Sequence, residues 1–498
     1  MRIRIVKTPT KKFGVQVVTR YGKNFILHKQ IGSAKNEEEK QNLISQAKDY
    51  ISAYDPQQNL FDERGIVSHL AEIEITKSQP LFLYRLLCSV YNRLGFNTFP
   101  DPVIRDLIVA RIYQPVSKLE IVDILEDSFD CRYSLKTVYR HLKNAVENNL
   151  RDCFQTALIA FAKNSFNDSL RLVFYDVTTL AFDSQVKAGL KDFGFSKDHR
   201  FQDVQIVVGL VVNREGFPLY FDVFNGKTFE GKTFIPVVEK IKKLLGSPDL
   251  TVIADAAMIS KLNIEELDKR NIGFIVGARL ANLPKKLQEK ISQRVLGIDQ
   301  KITTVTYLNH RLVCQYSDAR AAKDQSDRKK QIERAKFIIS SPSKISQRFR
   351  FVETVNGRYE INEELVKKAK MLEGIKGYLT NTVLDEQTII DRYHDLWRIE
   401  KSFRITKSDL EVRPVFHQLD ETIISHLIIV FAGLAIARYL EIKTGLTLKK
   451  TIKIAKKVLT HKVTISKTGE SALIETKITD PILCGQLEKL RALEYQMS

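Results

Sequence analysis

The sequence predicts an α/β fold with a mixed sheet, preceded by a mainly helical region. Two changes of pattern support this prediction. Apolar residues recur at helical spacing from residue 36 to about residue 165, and from residue 171 they form short runs typical of strands. After residue 171, three strands in a meander precede an alternation of helices and strands. Antiparallel hairpins followed by α/β crossovers make a mixed sheet.

Composition limits the class of protein. The 498 residues are 44% apolar and 28% charged, which is ordinary for a globular chain of several domains. Lys and Arg number 78 against 59 Asp and Glu, and such an excess favours a polyanionic partner over a merely solvated surface. The five cysteines form no zinc-binding spacing, which favours a reducing cytosol. The most apolar run, residues 427–437, is too short to span a bilayer, so we expect a buried helix and no membrane.

The first predicted element is a basic β-hairpin region over residues 1–35. The apolar runs "FGVQVVTR" and "NFILHKQIG" flank a turn at Tyr21 and Gly22. Residues 1–36 contain nine Lys or Arg and no acid. We therefore expect this stretch to lie against a negatively charged partner.

A helical region is predicted over residues 36–165, and within it lies a pattern typical of a helix-turn-helix. Ser117 and Ser134 each precede a run of apolar residues at helical spacing, as helix-capping residues do. The basic side chains of the second helix point mostly outward, as in a recognition helix that contacts DNA. Many helix pairs share this pattern without binding DNA, so that reading stays open. The basic residues concerned are Lys136, Arg140 and Lys143.

Residues 166–278 form the first part of the predicted core. Its elements in order are a strand at 171–182, two strands joined by a turn at 213–216, a helix at 232–245, a strand ending at Asp255, a helix at 259–270 and a strand at 273–278.

Two acids on these strands are candidates for chemistry. Asp176 lies in an apolar strand and Asp255 ends another, and sheets of this kind bind ligands at strand ends. A single aspartate at a strand end more often caps a turn. Two of them on strands that would be neighbours favour a site.

The remaining segments complete the predicted domains. Residues 279–380 are less regular and are predicted as a β-rich insertion with a hairpin and a charged helix. Residues 381–440 return to the core with a long helix from about residue 386. Residues 441–498 form a basic C-terminal tail, for which a solvated helix is the default and a DNA-gripping surface the alternative.

A third acid, Glu400, lies on that long helix. Tyr393, Trp397, Glu400, Arg404 and Lys407 are spaced by four, three, four and three residues, so a helix places all five on one face. A structural stripe would be apolar, whereas this one is mixed. The alternative reading is a salt bridge between Glu400 and Arg404 one turn later.

The segment "FNGKTFEGKTF" matches the phosphate-loop pattern G-x-x-x-x-G-K-[ST] at residues 226–233. A phosphate loop follows a central parallel strand, so that the next helix points its N-terminus at the nucleotide. The strand before Gly226 is the return arm of a hairpin. A nucleotide-binding loop is therefore disfavoured.

Together these residues resemble the DDE transposases of bacterial insertion sequences, which have a ribonuclease-H-like core, in the branch with the helix signature Y-x2-R-x3-E-x6-K. Tyr393, Glu400 and Lys407 stand at the signature spacing, and Leu396 takes the Arg position. "DVTT" at 176–179 and "ADAAMIS" at 254–260 are similar to the first and second acidic motifs. "GFSKDHR" and "KGYLTNT" are similar to further blocks, and residues 279–380 resemble the β-rich insertion.

The resemblance implies a transposase that cuts DNA at the ends of its element and transfers the strands into a target. Asp176, Asp255 and Glu400 would be the catalytic and metal-binding residues. Two Mg²⁺ ions, with Mn²⁺ as a substitute, suit three converging carboxylates and in-line displacement at a phosphodiester; no other cofactor is expected. The DNA-binding residues near the cut would be Tyr393, Arg398, Arg404 and Lys407, with Arg398 or Arg404 in place of the missing signature Arg.

The expected partners are double-stranded DNA, as terminal repeats and target, and a second copy of the chain in a synaptic homodimer. The expected location is the bacterial cytoplasm, at the nucleoid. Two other functions remain as alternatives. One is a DNA-binding regulator with a degenerate nuclease core, and the other is a phosphate-loop NTPase.

Overall fold

The computed structural model describes residues 1–7, 12–22, 24–54, 73–166, 170–195, 202–258, 260–340, 350–355, 358–412, 419–466 and 469–495. The chain divides into two compact units, one of residues 1–78 and 460–476 and the other of residues 79–459 and 477–498. The strands are β1 Arg2–Lys7, β2 Phe13–Tyr21, β3 Asn24–Ala34, β4 Ile73–Gln79, β5 Leu172–Ala181, β6 Gln205–Asn213, β7 Pro218–Asn225, β8 Thr251–Ala254, β9 Gly273–Ala278, β10 Ile302–Tyr307, β11 His310–Tyr316, β12 Val352–Val355, β13 Arg358–Ile361, β14 Ile375–Thr380, β15 Thr460–Ile465 and β16 Ser471–Glu475. The helices are α1 Glu37–Tyr54, α2 Leu81–Arg93, α3 Pro102–Tyr113, α4 Lys118–Phe129, α5 Leu135–Glu147, α6 Leu150–Ser165, α7 Glu230–Leu245, α8 Lys261–Lys269, α9 Lys285–Val295, α10 Asp318–Ile339, α11 Glu363–Met371, α12 Glu386–His394, α13 Trp397–Arg404, α14 Asp420–Thr444, α15 Leu448–Ala455 and α16 Pro481–Tyr495.

The smaller unit contains two three-stranded sheets, of which the first is antiparallel. In the first, β1, β2 and β3 follow one another in a meander, and α1 packs on it through Ala47 against Val15 and Val17. The predicted hairpin is present as β2 and β3, with β1 added at its edge. In the second sheet β15 lies between β16 and β4. The strand β4 interrupts the region that the sequence predicts as helical.

The helical region of the larger unit has the capping that the sequence predicts. The Ser117 hydroxyl accepts a hydrogen bond from the Glu120 amide at 3.3 Å, and the Ser134 hydroxyl accepts one from the Thr137 amide at 3.1 Å. The helices α4 and α5 therefore begin where expected. Most of the basic side chains on α5 are exposed, namely Lys136, Arg140 and Lys143.

The larger unit is built on an eight-stranded sheet in the order β10-β11-β14-β9-β8-β5-β6-β7. The strand β8 is parallel to both β5 and β9, and the other pairs are antiparallel. This confirms the predicted mixed α/β sheet. It also places the carboxyl ends of β5, β8 and β9 at one edge, where α/β sheets bind ligands.

The segment 279–380 contains the predicted hairpin, as β10 and β11, and the predicted charged helix, as α10. Its strands β10, β11 and β14 extend the core sheet beyond β9, and the helices α9, α10 and α11 make up much of the rest. Pairing with β14 satisfies the backbone groups that β9 would otherwise leave unpaired at a sheet edge. A hairpin read from local sequence carries no information about which sheet it joins.

The helix α14 passes through the core. It is long and apolar enough to cross a membrane, but 94% of its most apolar window is buried inside the protein. A helix that is apolar on all faces is a core helix when protein surrounds it, which agrees with the predicted buried helix. The tail after it contains the helix α15, which buries Leu448 and Ile454 and exposes Lys449, Lys450 and Lys453.

Candidate active site

Asp176 and Asp255 are brought together by the register of two parallel strands. Tyr175 of β5 pairs with Ala254 of β8, so the next residue on each chain is an aspartate at the same edge of the sheet. The following backbone amide orients each carboxylate, because Val177 donates to Asp176 at 2.8 Å and Ala256 donates to Asp255 at 2.6 Å. The two acids predicted from sequence are therefore neighbours.

Tyr393 reaches Asp255 from α12. Its hydroxyl donates a hydrogen bond to the carboxylate at 3.2 Å. Burial, followed by the charge of Asp255, raises the pKa of Tyr393, so the phenol stays protonated and remains a donor. Gly277 makes room for it, because a Cβ there would overlap the hydroxyl and lie 3.1 Å from Cζ of Tyr393.

Glu400 lies on α13 with an exposed side chain. Among the described residues its carboxylate forms no hydrogen bond and no ion pair, so the alternative salt bridge to Arg404 is not made. Its neighbours anchor the helix: Lys401 donates to Glu441 at 2.5 Å, and the Ser402 hydroxyl donates to the Gly216 carbonyl at 3.3 Å. An exposed acid without a partner on an anchored helix is available to a ligand.

The predicted single helical face across residues 393–407 is wrong. The helix is interrupted after His394, α13 begins at Trp397, and a π-helical turn follows at Ile405–Asp409. At the interruption, backbone hydrogen bonds join residues that are three apart in sequence rather than four. This tighter winding turns the following side chains to a different direction around the helix axis. As a result, Tyr393 is 5% exposed and points to Asp255, whereas Trp397 is 48% exposed.

Lys376 is the residue that sequence reasoning missed. It lies at the start of β14, with its ammonium 4.5 Å from the ring centre of Tyr393 and 5.7 Å from that of Tyr378. Burial lowers its pKa, while Asp255 and Glu400 act in the opposite direction. The block "KGYLTNT" is recognisable as a pattern, but nothing in it shows that its lysine interacts electrostatically with two of the acids.

The other predicted basic residues have varied surroundings. Arg398 pairs with Asp395 at 3.1 Å, Arg404 is exposed, and Lys407 is half-buried in the π-helical turn. Leu396, at the signature Arg position, is buried in the core. The exposed bases of α5 lie on a separate helix that packs against α3, α4, α6 and α14.

The candidate acids meet only part of what a hard divalent cation requires of its protein ligands. Among the described residues, no three His, Cys, Asp or Glu side chains form a group that could hold a metal ion. Mg²⁺ is usually held by one or two carboxylates together with waters and substrate phosphate. Asp176 and Asp255 meet that requirement, and Glu400 shares with Asp255 the electrostatic contact to Lys376.

The structure also argues against nucleotide binding by the segment that matches the phosphate-loop pattern. The preceding strand β7 is the antiparallel edge strand of the sheet. The Thr233 hydroxyl, which would face the metal of a nucleotide, is buried and lies 2.6 Å from the Tyr175 hydroxyl and 2.6 Å from the Glu230 carbonyl. The Thr233 hydroxyl is thus engaged by contacts inside the protein, whereas a phosphate loop would need it for the metal ion of a nucleotide.

The model of the transposase DDE domain matches residues 168–433, which include Asp176, Asp255 and Glu400. The chain belongs to the DDE transposase family. The strand order β7-β6-β5-β8-β9 is the ribonuclease-H-like part of its sheet, as predicted. The protein is a DNA transposase, and neither the regulator nor the NTPase reading finds support.

Solved transposase structures resemble this transposase at low identity. A piggyBac transposase synaptic complex with hairpin DNA has 7% identity and a TM-score of 0.41, with 76% of this chain and 79% of that chain covered. A Mos1 paired-end complex with the left transposon end has 15% identity and a TM-score of 0.16, covering 32% of this chain and 58% of that chain. A pre-cleavage Mos1 transpososome has 13% identity and a TM-score of 0.16, covering 32% and 54%. No curated protein matches the chain.

Proposed function

We propose that the transposase cuts DNA at the ends of its element by divalent-metal chemistry at Asp176, Asp255 and Glu400, and then transfers the strands into target DNA. The observation that carries this proposal is the register of β5 and β8, which sets Asp176 beside Asp255 at the ligand-binding edge of the sheet. An isolated aspartate would be explained by a turn, but two carboxylates held side by side repel each other unless a cation or proton intervenes.

Mg²⁺, with Mn²⁺ as a substitute, is the expected metal, and two ions would activate the attacking oxygen and stabilise the leaving one. The chain's own residues prepare the site. The backbone amides of Val177 and Ala256 fix the two aspartates, and Tyr393 holds Asp255 from α12. Glu400, which has no partner of its own among the described residues, completes the acid set.

The DNA phosphates near the cut would meet the basic residues that follow Glu400. Arg404 is exposed and Lys407 is partly exposed, so both can reach a phosphate. Tyr393 takes a different role from the one the resemblance implies, because its buried hydroxyl serves Asp255. Arg398 is engaged by Asp395 and contributes to DNA binding only if that surface pair opens.

Recognition of the element ends would involve α5. Lys136, Arg140 and Lys143 are exposed on one amphipathic helix, which is a common arrangement for contacting DNA. Joining two element ends calls for a homodimer in the synaptic complex. The reaction would take place in the bacterial cytoplasm, at the nucleoid.

The test is cleavage of a supercoiled plasmid that carries the DNA flanking this gene, with and without Mg²⁺. We expect wild type to make metal-dependent cuts at the element boundary. Asp176→Asn, Asp255→Asn and Glu400→Gln keep the side-chain shapes and should each abolish the cuts, while circular dichroism shows an unchanged fold.

Glu265→Gln is the matched control, because Glu265 is an exposed acid on α8 whose partner is Lys261 at 3.8 Å. It should cut like wild type. Retained cleavage in any of the three site variants would remove that residue from the catalytic set. Cleavage that persists in EDTA would contradict the metal-dependent mechanism.

A further inference from the structure

A cavity of about 620 Å³ has in its wall Lys376, whose charge interacts with those of Asp255 and Glu400. Its walls come from the chain after β9, from α10 and α11, and from the start of β14. It is lined by apolar side chains as well as charged ones, including Leu280, Phe351 and Ile375. Such a lining suits a ligand with both charged groups and flat or apolar parts, as a nucleotide has.

The charge of the cavity is strongly positive. Six bases and three acids line it, the bases being Arg279, Arg320, Arg328, Arg350, Lys368 and Lys376. Arg328 pairs with Glu373, and Arg320 pairs with Asp324 at 3.5 Å. Within the described part of the chain, the side chains of Arg279, Lys368 and Lys376 form no ion pair and no hydrogen bond. These three cations are therefore available to an anion.

Two of the available cations come from facing ends of neighbouring strands. Gly377 of β14 pairs with Ala278 of β9 in antiparallel register, so Lys376 and Arg279 are the next residues on the two chains. The carboxyl end of β9 lies at the same edge of the sheet as that of β8, where Asp255 stands. The cationic pair and the acids thus share one edge.

Lys376 joins the cavity to the acids. It lines the cavity, and its ammonium rests on the ring of Tyr393, whose hydroxyl binds Asp255. A DNA strand with one phosphate at the acids would have neighbouring phosphates within reach of this cavity. Carboxylates accept a phosphate only through a cation, whereas Lys and Arg bind it directly.

We propose that Arg279 and Lys376 form a phosphate-binding subsite for the DNA strand that is cut, holding a phosphate next to the scissile one. The proposal rests on the proposed DNA cleavage. In this arrangement Lys376 is a DNA-binding and positioning residue. The tyrosine ring holds its ammonium at the boundary between the acids and the cavity.

The test is equilibrium binding of the full-length protein to a fluorescein-labelled duplex of the gene's flanking DNA, measured by anisotropy in EDTA over a range of KCl concentrations. Removing one phosphate-binding cation should lower the slope of log affinity against log salt by about 0.9. Lys376→Gln and Arg279→Gln should each weaken binding and show this smaller slope. Lys376→Arg keeps the charge and should restore the wild-type slope.

Lys243→Gln is the matched control. Lys243 is an exposed lysine at the end of α7, near the start of β8 and so at the edge opposite Asp255. It should bind with the wild-type slope. A wild-type slope in either Lys376→Gln or Arg279→Gln, with folding verified by circular dichroism, would overturn the subsite.

The two proposals fail separately. Binding in EDTA involves no cleavage, so the salt slopes decide the subsite even for a protein that cuts nothing. Wild-type protein that binds the duplex with the expected slopes but leaves the plasmid uncut in Mg²⁺ would contradict the cleavage mechanism and leave the phosphate contacts standing.

Discussion

Tyr393 donates its hydroxyl to Asp255 at 3.2 Å, and the face of the same ring carries the ammonium of Lys376 at 4.5 Å. One aromatic side chain thus links an acid after β8 to a base at the start of β14. Gly277, on the strand between them, leaves the space that the hydroxyl occupies. The candidate acids are therefore supported by side chains from outside the two acidic strands.

Tyr393→Phe removes the hydroxyl and keeps the packed ring. Because a hydrogen-bonding partner fixes the orientation of a metal-binding carboxylate, its loss should raise the Mg²⁺ concentration for half-maximal cleavage by about tenfold. Tyr378→Phe is the control, since that ring lies 4.9 Å from Tyr393 and its hydroxyl faces His394. The measurement is the cleavage rate as a function of Mg²⁺ concentration. The same Mg²⁺ dependence in both variants would contradict the role of Tyr393.

Gly277→Ala should displace Tyr393, because the new methyl group would overlap its hydroxyl. We expect a loss of about 1–3 kcal/mol in stability from overpacking and a marked fall in cleavage. Gly433→Ala is the control: its Cβ would meet Leu410 at 3.5 Å, an ordinary contact. Alanine should raise helix stability there by about 0.5–1 kcal/mol. Gly277→Ala should have a lower melting temperature and cut less plasmid than Gly433→Ala. Equal melting temperatures would contradict the overlap.

Much of the core can be predicted because its signals are local. The strand ending at Asp255 and the cap at Ser134 depend on apolar runs and on a hydroxyl before a helix, which a single sequence displays. The pairing of β14 with β9 joins residues 275–278 to residues 377–380. No local pattern encodes such a pairing, so sequence alone assigns the hairpin beyond it to an insertion.

The same limit explains the wrong prediction of the helix face. Tyr393 and Glu400 have the spacing of one face on a straight helix, and the interruption after His394 is a response to packing. Lys376 escapes a reading of the sequence because its importance depends on Tyr393 and Glu400, which are distant along the chain. The acids can be found because one lies in a predicted apolar strand, another ends a neighbouring strand, and the third matches a spaced signature.

Arg438 anchors the helix that carries Glu400. It is buried, pairs with Glu441 and donates to the carbonyls of Gly216 and Glu215 at 3.0 and 2.7 Å. Glu441 also accepts from Lys401. Arg438→Met removes this donor from the Glu215 carbonyl and one of two donors from both Glu441 and the Gly216 carbonyl. It should destabilise the larger unit by about 3 kcal/mol.

Chemical unfolding can be followed by the fluorescence of Trp397, the single tryptophan of the chain, which lies on the same helix. Lys401→Met is the control, because it removes a more exposed partner of Glu441 and should cost about 1 kcal/mol or less. Equal losses for the two variants would mean that the buried arginine does not anchor the helix.

The phosphate-loop pattern gives opposite expectations for two adjacent residues. Lys232 is exposed, so Lys232→Ala should leave cleavage and stability unchanged. Thr233→Val removes a buried hydroxyl that lies against Tyr175 and should cost about 1–3 kcal/mol by leaving a polar group without its partner. Melting temperatures and ATP binding of both variants provide the measurement. ATP binding that Lys232→Ala abolishes would revive the NTPase reading.

On α5, exposed basic residues that would contact DNA and an inward-pointing histidine lie within about two turns of each other. Lys136, Arg140 and Lys143 are exposed, so their joint replacement by alanine should change stability by less than about 0.5 kcal/mol per residue. It should also lower the salt slope of DNA binding by up to about 0.9 for each phosphate that these side chains neutralise. His141 points inward and lies 2.7 Å from Asp101, which also caps α3. His141→Ala should therefore lower the melting temperature and leave the slope at its wild-type value. An unchanged slope in the triple variant would mean that α5 does not contact DNA, whatever its basic surface.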